Sequence, residues 1–146
     1  MKKLLVTLLL VPTLLGAAIA GENGDWLTNY EKALEVAKKE NKVVLINFTG
    51  SDWCGWCKRL DREVFAKDSF EKFAGDKLVL LKVDFPKYSR PSKEQMEANE
   101  RLRVKYRVPG FPTIFLVNPE EKVLLQTGYV PGGADNYVKH LSEKIN

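Results

Sequence analysis

The chain has only two cysteines and one histidine in 146 residues, and that scarcity excludes a closed zinc centre, which needs four ligands. Cys54 and Cys57 are near neighbours, while His140 lies far along the chain. Charge of one sign is also scarce: 23 Lys and Arg stand against 19 Asp and Glu, a formal net charge of +4. So mild an excess does not suggest a nucleic-acid binder. The densest basic stretch, Arg101, Arg103, Lys105 and Arg107, alternates with Leu102, Val104, Tyr106 and Val108. It reads as a solvated helix end and not as a phosphate-binding patch. Internal repeats and low-complexity linkers are lacking too, so one compact unit is expected.

A long apolar run occurs at the N-terminus. Lys2 and Lys3 precede an almost wholly apolar stretch from Leu4 to Leu15, and Ala18-Ile19-Ala20 closes it with small residues. That order matches a secretory leader, with cleavage expected after Ala20. An uncleaved membrane anchor is the rival reading, but Pro12 and Gly16 interrupt a segment already short for a bilayer span. No cysteine follows the run, which argues against a lipid-modified N-terminus. The expected division is residues 1–20 as signal peptide and 21–146 as one domain, periplasmic or secreted. Losing Lys2 and Lys3 with the leader lowers the formal charge from +4 to +2. About 126 residues remain, enough for a single core.

What the chain does have is a pair of cysteines three residues apart, in Trp53-Cys54-Gly55-Trp56-Cys57-Lys58, directly after the β-like run Val43-Val44-Leu45-Ile46-Asn47-Phe48. A Cys-x-x-Cys where a strand gives way to a helix has the layout of a dithiol redox site. With a helix starting at Cys54, positions i and i+3 share one face about 5–6 Å apart, within the reach of a disulfide. As the first helical residue, Cys54 meets unpaired N–H groups and the positive end of the helix dipole, which favour a thiolate. In such places a free-thiol pKa of ~8.5 falls to roughly 3.5–7.5. Cys57, one turn further in, would act second and resolve the mixed disulfide formed at Cys54. The structural alternative is a static staple, yet so short a loop constrains the unfolded chain weakly.

The remaining pattern is α, β, α, β, α, β, β, α. Leu27, Tyr30, Leu34 and Ala37 recur with helical spacing over Asp25 to Lys39, and Asn41 marks a stop. A strand is expected from Lys42 to Thr49, a turn at Gly50-Ser51-Asp52, and a helix from Cys54 to about Ala66. That helix resumes through Phe70 and Phe73 until Gly75 ends it. Leu78 to Asp84 reads as a buried parallel strand, completing a right-handed βαβ unit. Phe85 to Ser92 is a loop, Lys93 to Tyr106 a helix, Thr113 to Val117 a strand, and Lys122 to Tyr129 its hairpin partner. Tyr137, Val138, Leu141 and Ile145 line a last amphipathic helix.

Together, the Trp53–Lys58 motif, Gly110-Phe111-Pro112-Thr113 opening a later strand, and the element order make the chain resemble the thioredoxin superfamily from about Asp25 to Ile145. More narrowly, Trp-Cys-Gly-Trp-Cys-Lys followed by Leu60 and Phe65 is similar to exported relatives of the C-terminal domain of the bacterial transmembrane thiol reductase. The resemblance implies an α/β, thioredoxin-like fold: a central mixed sheet of about four strands flanked by helices. It implies a cis bond before Pro112 and a substrate segment pairing with the backbone of Phe111; an ordinary turn proline is the alternative. Phe111 is larger than the residue relatives often carry there, which would narrow the groove or favour apolar substrates. At Asn47, on this alignment, relatives commonly have a buried carboxylate that handles the inner cysteine's proton. An amide cannot exchange that proton, so water or another group must do so. Lys82 matches a lysine that lowers the inner thiol's pKa in the family; its alternative is a stem packed inside with the amine reaching solvent.

Gly55 and Trp56 would tune the reduction potential through hydrogen bonding and ring strain. Trp53 and Trp56 would form an apolar docking rim, with core packing as the alternative for Trp53. The expected function is thus an exported thiol–disulfide oxidoreductase, a monomer with no cofactor and no metal, acting on protein thiols and disulfides. It would be recharged by a membrane or soluble redox partner. The resemblance leans to a reductase or isomerase. A thioredoxin-fold binding or chaperone module with a static disulfide is the alternative from another class.

Overall fold

A computed structural model describes residues 25–145; the expected leader, residues 1–20, lies outside them. Helix α1 (Tyr30–Glu40) leads into strand β1 (Val43–Thr49), and α2 (Gly55–Leu60) runs on into a wider, π-type turn at Asp61–Phe65. Then come α3 (Asp68–Lys77), β2 (Leu78–Asp84), α4 (Lys93–Lys105), β3 (Thr113–Val117), β4 (Val123–Thr127) and α5 (Gly133–Ser142). The strands form one mixed sheet in the order β2-β1-β3-β4, with β1 parallel to β2 and antiparallel to β3. This is the expected thioredoxin-like arrangement.

Strand period 2 sorts the core into two layers. Val44, Ile46 and Phe48 of β1, with Val79, Leu81 and Val83 of β2, pack against Tyr30, Ala33 and Ala37 of α1 and Leu102 of α4. Leu45, Leu80, Ile114 and Leu116 face the other way, against Leu60, Val64, Phe65, Phe70, Tyr137 and Leu141. Both faces of the central strands are therefore covered, which explains their unbroken apolar runs. The alternation continues past the apolar part. Asn47 and Thr49 of β1, paired in register with Lys82 and Asp84 of β2, fall on the same face as Leu45 and Leu80, at the strand ends that lead to the cysteines.

Four expectations need correction. Residues 25–29 are not helical: Leu27 forms a parallel bridge to Leu81, its N–H donating to Leu80 O at 2.9 Å while its carbonyl accepts from Lys82 N at 2.8 Å. This bridge covers the free edge of β2, and α1 begins only after Asn29, whose side chain accepts the Lys32 N–H at 2.7 Å. Gly75 does not end α3, which continues to Lys77 and passes straight into β2, because Phe70 and Ala74 anchor it in the core. The second hairpin strand spans Val123–Thr127, shorter than Lys122 to Tyr129. Cys54 caps α2 and is not its first helical residue.

Candidate active site

Cys54 and Cys57 are joined as a disulfide with their Cα atoms 5.2 Å apart. The turn before them is built by Gly50, whose carbonyl accepts from Trp53 N at 3.2 Å and Cys54 N at 2.8 Å. Cys54 then has an extended backbone and occupies the cap position, and its Sγ accepts the Cys57 N–H at 3.2 Å. The sulfur thus takes the place of the oxygen that usually caps a helix. Cys57 is 1% exposed and Cys54 7%. The outer and inner order is as expected, but Cys54 is more covered than an open nucleophile implies, since its sulfur is turned inward to Cys57.

Aromatic residues stand on both sides of the pair. Trp53 and Trp56 are 37% and 55% exposed, so neither is a core residue. The Trp53 indole lies over Gly50, where a Cβ would sit 2.5 Å from Cε2, so only glycine leaves it room. Its Nε1–H donates to Phe85 O at 2.7 Å, and its ring meets Phe111 edge-on at 6.1 Å. That contact brings the two sequence motifs together in space. Phe111 also stacks on Phe85 at 5.1 Å, and the Phe111–Pro112 peptide is cis. Thr113 Oγ1 donates to Gly110 O at 2.7 Å, and Gly128 passes so near Pro112 that a Cβ there would lie 3.1 Å from its carbonyl. Gly55 is exposed, with open space around it.

Residues not singled out from sequence complete the rim. Asp52 accepts the N–H groups of Lys87, Tyr88 and Ser89 at 2.8–3.0 Å, holding the loop after β2 against the active-site turn. Desolvation opposes the Asp52 charge, but these donors outweigh it and keep the carboxyl below its usual range. Lys87 Nζ stands 4.2 Å from the Trp53 ring centre. On the other side, the Arg59 guanidinium lies 5.3 Å from the Trp56 ring and 5.2 Å from that of Tyr129. Glu63 ties both down, accepting from Tyr129 Oη at 2.5 Å and Arg59 Nε at 2.8 Å. Those two bonds lower its pKa. Arg59 and Glu63 were findable as an i,i+4 pair; Tyr129, 66 residues from its partner Glu63, had no local signal.

On the sheet face that α2 covers, Asn47 is 1% exposed and its Oδ1 has no partner, as is true of the buried Thr49 Oγ1. Lys82 is half-buried, its Nζ 5.7 Å from the Trp26 ring centre. Asp84 accepts from Ser51 N at 2.9 Å and from its hydroxyl. Asp61, four residues after Cys57, is half-buried as well. Burial pushes its carboxyl pKa up, Lys82 pulls it down, and Asp84 adds to the rise. A cavity of about 630 Å³ lies elsewhere, between α1 and α4, and none of the expected site residues lines it. Among the described residues no cluster of side chains could hold a metal ion.

Comparison with known proteins gives a consistent result. The profile of the Thioredoxin-like domain family matches residues 30–143. Disulfide bond reductase DsbH of Chlamydia pneumoniae is 36% identical over 127 residues, covering 87% of this chain and 76% of that protein. Thiol:disulfide interchange protein DsbD 2 of Pseudomonas aeruginosa is 31% identical over 91 residues, 62% of this chain and 14% of that protein. Among solved structures, a DsbH oxidoreductase matches with a TM-score of 0.80 at 33% identity, over 99% of this chain and 94% of its own.

Proposed function

Since the chain belongs to the thioredoxin-like domain family, we propose that it is an exported thiol–disulfide oxidoreductase that reduces or isomerises protein disulfides with Cys54 and Cys57. The observation that carries this reading is the cap: Cys54 Sγ accepts the Cys57 N–H at 3.2 Å at the mouth of a helix. In the reduced protein the same donor and the helix dipole favour a Cys54 thiolate. That thiolate attacks a substrate disulfide, forms the mixed disulfide and releases one substrate sulfur. Cys57 then bonds to Cys54 Sγ, and the second substrate sulfur leaves. Two electrons pass from the dithiol to the substrate, and the protein ends as the Cys54–Cys57 disulfide. Trp53, Trp56, Phe111 and Pro112 form the surface that receives the substrate segment.

Reduction is the favoured direction, as one relative is named a disulfide bond reductase. In an oxidising compartment this needs a membrane or soluble redox partner to restore the dithiol. Export rests on the apolar leader at residues 4–15. Among the described residues no helix is long and apolar enough to cross a membrane.

The test is insulin-disulfide cleavage by the wild type and by Cys54→Ser, with the redox midpoint measured in glutathione buffers. Cleavage lost in the variant and a midpoint well below the glutathione couple are expected. Cleavage retained by Cys54→Ser, or a pair inert to iodoacetamide at every pH, would leave a static binding module instead.

A further inference from the structure

The loop Phe85–Arg90, between β2 and α4, has no regular secondary structure, yet it is fastened at several points. Phe85 N–H donates to Thr49 O at 2.8 Å, and Phe85 O accepts from the Trp53 indole at 2.7 Å. The Asp52 carboxylate then accepts the N–H groups of three successive residues, Lys87, Tyr88 and Ser89. Asp52 stands two residues before Cys54, so these bonds tie the loop to the active-site turn itself. Hydrogen bonds to an ionised acceptor are roughly twice as strong as neutral ones. A plain connector on the surface needs no such clamp, because water satisfies the same N–H groups.

What the clamp presents is charge and one aromatic ring. Lys87 and Arg90 are exposed, and the loop contains no acidic residue. Among the described residues neither cation forms an ion pair. Lys87 instead holds its Nζ 4.2 Å from the centre of the Trp53 ring, over the indole that borders Cys54. Tyr88 is 79% exposed, although burying such a ring is favourable. Tyr and Arg are enriched where protein surfaces meet.

The other side of the disulfide differs. Arg59, over Trp56, has Glu63 Oε1 2.8 Å from its Nε, so the two bring no net charge to that side. Near Lys87 the acidic group is Asp52, and both of its oxygens are occupied by loop N–H groups. The rim is therefore electrically lopsided. A carboxylate arriving beside Trp53 meets an ammonium without an ion-pair partner, whereas one arriving beside Trp56 meets a cation already paired.

We propose that the loop clamped by Asp52 is a recognition element for the substrate, in which Lys87, supported by Arg90, selects protein segments that carry a carboxylate close to the reacting cysteine. This rests on the exchange reading above and names the substrate class for it. The loop is fixed before the partner arrives, so little ordering is lost on docking. A segment with lysine or arginine beside its cysteine is repelled on the same side.

The experiment is single-turnover reduction, at pH 7 and low salt, of dimeric peptide disulfides that differ only in the residues flanking the cysteine: aspartate, serine or lysine. Free peptide thiol is followed by chromatography, and each rate is divided by that for dithiothreitol, which removes the peptides' own differences in reactivity. The corrected rate for the aspartate peptide should exceed that for the lysine peptide about tenfold, as attraction and repulsion at an exposed cation each contribute about threefold. In ~0.5 M NaCl the ratio should shrink to about twofold, because exposed charges are screened. Lys87→Arg should keep the low-salt ratio, Lys87→Gln should lower it to about threefold, and Lys87→Glu should bring it to about one or below. Asp52→Ala removes a negative charge, yet it should lower the ratio, because the loop no longer holds Lys87 in place. A wild-type ratio near one overturns the proposal, as does a ratio unchanged in Lys87→Glu or raised in Asp52→Ala. Peptide reduction by Cys54→Ser at the wild-type rate overturns the exchange reading itself.

Discussion

Replacing Asn47 by Asp would test how dry the polar end of the β1–β2 pair is. The two side chains have nearly the same shape, so packing is preserved and the change is one of charge. Asn47 is 1% exposed and Lys82 faces it across the strand pair. A carboxylate there starts from a pKa of ~3.9, and full burial raises such groups by up to 3–5 units. Allowing for attraction by Lys82, a net rise of about three units puts the folded value near 7. A raised folded pKa contributes stability that is complete below ~3.9 and is lost as pH climbs through the folded value. At 1.36 kcal/mol per unit the loss levels off at about 4 kcal/mol. Typical domains have only about 5–15 kcal/mol in total, so the variant should be sound at pH 4 and marginal at pH 8. With a urea m-value of about 2 kcal/mol/M, the midpoint should fall by about 2 M across that range relative to the wild type. A difference between the two proteins that stays flat from pH 4 to 9 would refute the reasoning.

Gly50→Ala places a Cβ 2.5 Å from Trp53 Cε2 and 2.6 Å from Nε1, so the indole must leave Phe85 O and Phe111; a red-shifted tryptophan emission and slower insulin cleavage are expected, and unchanged emission would show that the rim is not so tight. Tyr137→Phe removes the hydroxyl that donates to Gly128 O at 2.9 Å from a fully buried ring. That should cost about 1–2 kcal/mol and lower Tm by about 3–6 °C for a domain of this size, as calorimetry can check. Asp61→Asn should be more stable than the wild type at neutral pH. The folded pKa of Asp61 is raised above its ordinary 3.8, chiefly by burial, so the wild type loses stability as pH rises from 3.8 through the folded value, while the amide has no such loss. Melting curves should coincide near pH 3 and separate above it, and a variant less stable at pH 7 would show Asp61 to be well solvated.

The central strands were legible because burial on both faces writes itself as an uninterrupted apolar run: Leu78–Asp84 and Thr113–Val117 have the bounds read from sequence. The first helix was over-extended because Leu27 fits helical spacing from Tyr30 and Leu34, yet its backbone is used on the edge of β2. Periodicity reports which side chains are apolar and not which hydrogen bonds their backbone makes. Gly75 misled for a related reason. A Cβ there would meet nothing within 4 Å, so the glycine answers no steric demand, and the packing of Phe70 and Ala74 carries the helix past it. The π-type turn depends on an i+5 bond from Ala66 to Asp61 and has no signature in composition.

The redox pair was legible because its chemistry lies within four residues; its support was not, because that support is distributed over four elements. Yet part of it was written in the strands. Val43 to Thr49 and Leu78 to Asp84 each turn polar at alternate positions near their ends, Asn47 with Thr49 and Lys82 with Asp84. Parallel pairing sets these four on one sheet face, the face on which α2 must lie if its apolar residues are to reach Leu45 and Leu80. On that face Asp61 is the acidic residue at helical spacing from Cys57. Polar groups buried at the end of an apolar strand cost stability wherever they lack partners, as Asn47 Oδ1 and Thr49 Oγ1 do here. An apolar pair would pack at no such cost. The polar row is therefore not explained by the requirements of folding, and on β1 it lies at the strand end that leads to Cys54.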